Sequence, residues 1–365
     1  MVCSRGGLLD PRITKQAEHI IEYATKTKKD DNVLIQLTDY GIELAQEIYL
    51  LAARKGANPL ITVTPTETTR QYYDIDTSFL RNFPKHVYEL TKNTDIIVSI
   101  RGENNLKALS NVEPERMSIR SSALKEIQES RLSKRWCLTQ VPTPAYAQEA
   151  EMSMSEYEDF VYSAILLDWG KECSAMEKVK EVLDKGRQVH LEGVETDLTM
   201  SIEGRTAIIG DATHNVPGGE TYTAPVDDSA EGKIYFNFPG IVYGREVRDI
   251  RLRFEKGEVV DYSANKNEEL LKTMLNIDAG SKRLGELGIG TNYGIKLFTK
   301  NILFDEKMGG TIHLALGRAY KECGGVNESA IHWDMIKTMN PGNISIDGRT
   351  IQNNGVFSWN QADKL

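Results

Sequence analysis

Runs of consecutive apolar residues alternate, along the first half of the chain, with segments whose apolar positions recur every three or four residues. Ile13, Ala17, Ile20, Ile21 and Ala24 follow Pro11 at helical spacing, and proline is well placed in the first turn of a helix. "NVLIQL", after the breaker "KKDD", predicts a buried strand. "GIELAQEIYLLAARKGA" then predicts a helix that stops at Gly56, because glycine tolerates the left-handed turn that ends many helices. "PLITVT" and "DIIVSI" repeat the buried-strand signature, and "RWCLTQ" predicts one more strand. Alternation of this kind implies a parallel sheet with helices on both faces.

From about Lys185 the pattern changes. "DLTMSIEG" alternates apolar and polar residues as a half-buried strand does, and "IRLRFEKGEVVDYSA" predicts two strands around a glycine-containing turn. "NISIDGRTIQNNGVF" carries Asp347-Gly348 and Asn354-Gly355, both hairpin signals. "NEELLKTMLN" is an inserted helix. The expected fold class is α/β: an N-terminal parallel-sheet α/β domain over 1–185 and a C-terminal mixed, mainly antiparallel α+β domain over 186–365. A division near Glu103 is the alternative.

The totals agree with this picture. A chain of 365 residues is too long for one ordinary core. Hydrophobic residues make up 40% and charged residues 27%, as in an ordinary globular protein. The net charge of −9 argues against nucleic acid as a partner, since phosphate neutralisation needs concentrated Lys and Arg. Apolar runs such as "IYLLAA" and "YSAILL" are too short to cross a bilayer, and "MVCSRGGLLDPR" does not have the pattern of a secretory leader. Cys3, Cys137, Cys173 and Cys323 are widely spaced and form no C-x-x-C pair, which excludes a disulfide scaffold and a cysteine zinc site. A reduced, cytoplasmic setting is the expectation, so the sequons "NES" and "NIS" carry no meaning.

Two of the six histidines lie in "TIHLALGRAYKECGGVNESAIHWDM". Successive strand residues point to opposite faces, so an extended "IHWD" puts His332 and Asp334 side by side. "TIHLAL" is likewise strand-like and lets His313 face the same way. Upstream stand Glu220 in "VPGGETYTAP", Glu286 in "RLGELGIGTN" and Glu306 in "LFDEKMGGTIH". Singly, each has an ordinary explanation. A histidine in an apolar run is commonly a hydrogen-bonded core residue. Glu286 is equally compatible with a tight glycine loop, Glu220 with an exposed turn and Glu306 with a solvated charge. The glycines around Glu286 do not have the dinucleotide-binding spacing. Together, four buried carboxylates need cations nearby, because isolated charges are costly to desolvate. Two divalent ions would balance Glu220, Glu286, Glu306 and Asp334, with His313 and His332 as neutral ligands. Mixed carboxylate and imidazole ligation suits zinc, cobalt or manganese better than calcium.

The runs "DLTMSIEGR", "NVPGGETYTAPVDDSAEG", "GELGIGTN", "NILFDEKMGGTIHLALGRAY" and "SAIHWDM" resemble the thermophilic metallo-aminopeptidases of the aminopeptidase T, aminopeptidase S and PepS type. "RWCLTQVPTPAYAQEAEMS" and the amino-terminal alternation extend the likeness over nearly the whole chain. The resemblance implies a dinuclear metal site that removes amino-terminal residues from peptides, in a homodimer. Glu220 and Glu286 match the family's ligand glutamates, His313 its histidine, and His332 with Asp334 the closing ligand pair. Tyr320 matches its catalytic tyrosine. Glu306 matches the acidic position ahead of the first histidine, with a spacing two residues longer than in some members. "GGTIH" stands where some relatives carry a small residue, Cys and His, which bears on substrate preference.

The implied chemistry assigns Glu286 and Asp334 to bridging or orienting two ions that activate a water, and Tyr320 to the developing oxyanion. Two other readings compete. Ring-cleaving dihydroxypyridine dioxygenases look similar to this fold and use one iron held by two histidines and an aspartate. They carry a histidine at the position of Glu286 and no acid at that of Glu220. A non-catalytic binding module on the same fold is the third reading.

Overall fold

The computed structural model describes residues 9–361, so Cys3 and the opening "MVCSRGGL" lie outside the described residues. The chain packs as two compact units. One runs up to Leu166 and takes in Ala212–Val216; the other holds Leu167–Asp211 and Pro217 onward. This junction lies ahead of Lys185. The helix Trp169–Lys185, assigned by its pattern to the first domain, buries Val179 and Leu183 among the strands of the second unit.

In the first unit, parallel strands lie in the order Asn58–Val63, Asn32–Leu37, Ile96–Arg101, Arg135–Gln140 and Asn215–Val216. Val33, Leu34, Ile35, Ile96, Ile97 and Val98 are buried, as the unbroken apolar runs require of a sheet covered on both faces. The helix Ile42–Arg54 stops where expected, with Gly56 at φ +81°. The first helix runs Pro11–Glu18 and then widens into a π-helical turn over His19–Ala24. No helix among the described residues is long and apolar enough to cross a membrane.

The second unit contains two large antiparallel sheets and a two-stranded antiparallel ribbon of Gly240–Val242 with Arg245–Val247. Eight strands form the larger, in which Ile250–Glu255 pairs with Glu258–Ser263 and Gly342–Ile346 with Arg349–Asn353. The second pair turns at Asp347-Gly348. The smaller sheet has the order His332–Thr338, Thr311–Gly317, Leu284–Gly290, Glu220–Thr223 and Ile208–Ile209. Leu287, Ile289, Ile312, Leu314, Leu316, Trp333 and Met335 bury themselves in one hydrophobic cluster with Leu191, Leu198, Ile234, Phe236, Leu252 and Ile344 of the larger sheet. Apolar positions two apart commit one face of the small sheet to this core. The residues between them occupy the opposite face.

Candidate metal centre

That opposite face carries the chemistry. Register pairs Gly288 with His313, His313 with Ile336, Ala315 with Asp334, Gly317 with His332, and Gly290 with Glu220. Acid or imidazole positions thus stand opposite glycine or alanine at most of these pairs, with Ile336 opposite His313 the exception. Glu286, Gly288 and Gly290 share a face of a strand whose seven residues are all buried. "GELGIG" is therefore a strand and not a loop. Its glycines make room: a Cβ on Gly288 would stand 1.9 Å from His313 Cε1 and 2.1 Å from Nε2. Gly210 gives similar room to the Glu220 side chain, whose Cγ a Cβ would meet at 2.8 Å.

Glu286 lies at the middle. Its Oε1 is 3.2 Å from His313 Nε2, and its Oε2 is 3.0 Å from His332 Nε2. Glu220 Oε2 stands 3.6 Å from His313 Nε2, and Asp334 Oδ1 3.5 Å from His332 Nε2. Two ligand groups result, Glu220–Glu286–His313 and Glu286–His332–Asp334, each with its donor atoms within 4.8 Å of one another. Both use Glu286.

The imidazoles are aimed. His313 Nδ1 donates to the carbonyl of Glu306 at 3.0 Å, and His332 Nδ1 to that of Arg318 at 2.7 Å. A carbonyl can only accept, so the proton sits on Nδ1 and Nε2 is left as the coordinating nitrogen. Arg318 itself is exposed and contributes only this carbonyl. Asp334 Oδ1 is buried and accepts no hydrogen bond. A buried carboxylate oxygen without a donor, beside two oriented imidazoles, fits a cation as its missing partner. The residues present therefore suit a metal of the zinc, cobalt or manganese kind.

Electrostatics point the same way. Burial disfavours a charged imidazole, yet Glu286, Glu220 and Asp334 raise His313 to about 10. His332 reaches about 11 against the same penalty, through Asp334 and Glu286. Burial also opposes ionisation of Glu286 and Asp334, but the two histidines hold both carboxyls below their ordinary values. Without ions, protons on the imidazoles supply the positive charge.

Glu306 stands apart. It belongs to neither ligand group, and its carboxylate is bonded to the ammonium of Lys307. Burial pushes its carboxyl up, and the Glu220 and Asp334 charges add to the push against Lys307. Lys307 is fully buried and lies 3.4 Å from Glu220 Oε1, a cation inside the acidic set that sequence reasoning missed. Beside Glu306 in "FDEKMGG" it has the look of one of two solvated charges. Tyr320 follows the His313 strand, with its ring 5.0 Å from that of His332 and 5.4 Å from Tyr222. Burial, then the charges of Glu286 and Asp334, hold its phenol proton well above the ordinary value, so the hydroxyl remains a donor.

With this geometry in view, the profile described as "Thermophilic metalloprotease (M29)" matches residues 9–357. The chain belongs to the thermophilic metalloprotease (M29) family. Relatives of this M29 chain include Aminopeptidase 2 of Geobacillus stearothermophilus, 28% identical over 310 residues, which cover 72% of the chain and 74% of that protein. Aminopeptidase T of Thermus aquaticus is 27% identical, with 67% and 70% covered. Among solved structures, wild-type AmpT from Thermus thermophilus superposes with a TM-score of 0.85 at 23% identity, over 95% of this chain and 99% of that one. The 2,5-dihydroxypyridine dioxygenase from Pseudomonas putida KT2440 follows at 0.58 and 15%, covering 96% and 98%. At such identities the superpositions establish the fold: an N-terminal parallel α/β sheet followed by antiparallel sheets.

Two outcomes test the centre. Gly288→Ala should force the His313 ring aside and weaken zinc at the Glu220–Glu286–His313 group by at least about tenfold. Titration calorimetry reads the loss, with circular dichroism confirming an intact fold; unaltered affinity would remove His313 from the ligand set. The second concerns protons. A raised histidine pKa means the proton is held until pH exceeds the folded value, so at about pH 7.5 both imidazoles must deprotonate to ligate. Loading two ions should release about two protons per chain, measured by calorimetry in buffers of different ionisation enthalpy. No release would mean that neither histidine coordinates.

Proposed function

We propose that this M29 metallo-aminopeptidase removes amino-terminal residues from peptides at a centre for two divalent ions that share Glu286. The observation that carries the reading is the pair of ligand groups with Glu286 in common, one of its oxygens turned to each. Glu220 and His313 complete one side, His332 and Asp334 the other. Ions held there supply a Lewis acid for the scissile carbonyl and lower the pKa of a water toward neutrality. Zinc, cobalt and manganese are the candidates.

The chain's own groups do the rest. Glu286 fixes the spacing of the two sides. Tyr320, protonated and beside His332, donates a hydrogen bond to the oxygen that becomes negative as the carbonyl is attacked. Lys307 holds Glu220 and Glu306 in place when neither has another cation. Glu306 acts from outside the two groups, through Lys307 and through the carbonyl that aims His313. Two buried glutamates, at positions where the ring-cleaving enzymes carry a histidine and a non-acidic residue, favour hydrolysis over iron chemistry. The homodimer and the cytoplasmic setting are carried forward on the resemblance and on the sparse cysteines alone.

Metal analysis after reconstitution with zinc or cobalt should find about two ions per chain, and Leu-p-nitroanilide hydrolysis should disappear with chelator and return with metal. One ion per chain with full turnover would overturn the shared-glutamate centre. Tyr320→Phe should lower kcat on the order of 100-fold or more at unchanged metal content. Full turnover in that variant would remove the phenol from the reaction.

A further inference from the structure

Glu220 has two carboxylate oxygens, and the fold treats them differently. Oε2 stands 3.6 Å from His313 Nε2, inside the Glu220–Glu286–His313 group. Oε1 lies 3.4 Å from Nζ of Lys307. Gly210 walls the same oxygen, so closely that a Cβ there would stand 3.2 Å from it. One oxygen faces the candidate ligands and the other faces an ammonium.

Local structure fixes that ammonium. Lys307 follows the short helix Ile302–Asp305, whose Leu303 and Phe304 are buried. Its amide donates to the carbonyl of Phe304 at 3.0 Å, and its own carbonyl accepts from Asn292 N at 2.9 Å. The side chain is fully buried, and Nζ is also bonded to the Glu306 carboxylate. An ammonium so placed cannot exchange its partners for solvent without a large rearrangement. The other side of the centre has no such device: among the described residues no lysine or arginine pairs with Asp334, whose Oδ1 accepts no hydrogen bond.

We propose that Lys307 restricts Glu220 to a single ligating oxygen and thereby keeps a place open for the peptide on the Glu220–Glu286–His313 side, an inference that rests on the two-ion reading above. Lys307 is then a positioning residue that acts through Glu220. A carboxylate can hold an ion through one oxygen or through both. Catalytic metal sites offer three protein ligands and leave a further position to water or substrate. With Oε1 engaged by Lys307, the residues Glu220, Glu286 and His313 offer one atom each, which meets that count. Released from Lys307, Glu220 would offer its second oxygen and fill the open position itself. The lysine thus loosens the hold on the ion and leaves room for the substrate.

Lys307→Met removes the ammonium and keeps most of the stem. A residue that only supported Glu220 as a ligand would, on removal, lower ion affinity by about 10- to 100-fold. The expectation here is the reverse. Zinc affinity, read by titration calorimetry, should rise about tenfold or more, while kcat/KM for Leu-p-nitroanilide falls about tenfold or more. The cobalt-loaded variant should also lose visible absorption, because each added ligand takes cobalt further from its strongly absorbing four-coordinate state. Unchanged or weakened affinity overturns the proposal, and so does tighter binding with an unaltered cobalt spectrum. If circular dichroism shows that the variant does not fold, a crystal structure of the unaltered, zinc-loaded enzyme decides. Ligation through Oε2 alone, with Oε1 still on Lys307, supports the proposal. Both oxygens on the ion overturn it and leave the two-ion reading intact, whereas an ion on the His332 and Asp334 side only overturns both.

Discussion

Everything at the centre depends on one carboxylate that serves two imidazoles. Glu286 can turn Oε1 to His313 and Oε2 to His332 because a register shift between Leu284 and Glu286 sets it opposite Ala315, and from there the three neighbouring strands keep their alternation. The other face of those strands is sealed by Leu287, Ile289, Leu314, Leu316 and Met335. A slip of one residue would bury the acids in the core and expose the leucines. Hydrophobic burial thus fixes the register, and the register fixes the candidate ligands.

Much of this was legible. Unbroken apolar runs before residue 140 announced a parallel sheet, and "IHWD" announced two side chains on one face, because both follow from strand geometry alone. The hairpins at Asp347-Gly348 and Asn354-Gly355 followed from backbone preference. Other features were not legible, for physical reasons. Leu284–Gly290 has three glycines and little strand propensity; only the neighbours that occupy the missing side-chain volume explain it. Glu220–Thr223 is four residues long and depends on its partners rather than on its own pattern. The junction at Leu166 was missed because a helix amphipathic enough to cover either unit says nothing about which one it covers.

Lys307 shows the deeper limit. Charge balance drawn from the sequence set four carboxylates against two divalent ions and left no place for a fixed cation. The fold buries an ammonium between Glu220 and Glu306, with both histidines protonated when ions are absent. A lysine beside a glutamate gives no sign in one dimension that both will be dry.

The hydrogen bonds from the two Nδ1 atoms bear on what a metal would find at this site. Main-chain carbonyls of Glu306 and Arg318 anchor the rings before any ion arrives, and a continuous apolar layer lies beneath. Small zinc modules collapse when stripped because the ion is their core. Here the scaffold has its own core, so an ion bound at this site would be a passenger in a finished seat, and its loss would not require the chain to fold again.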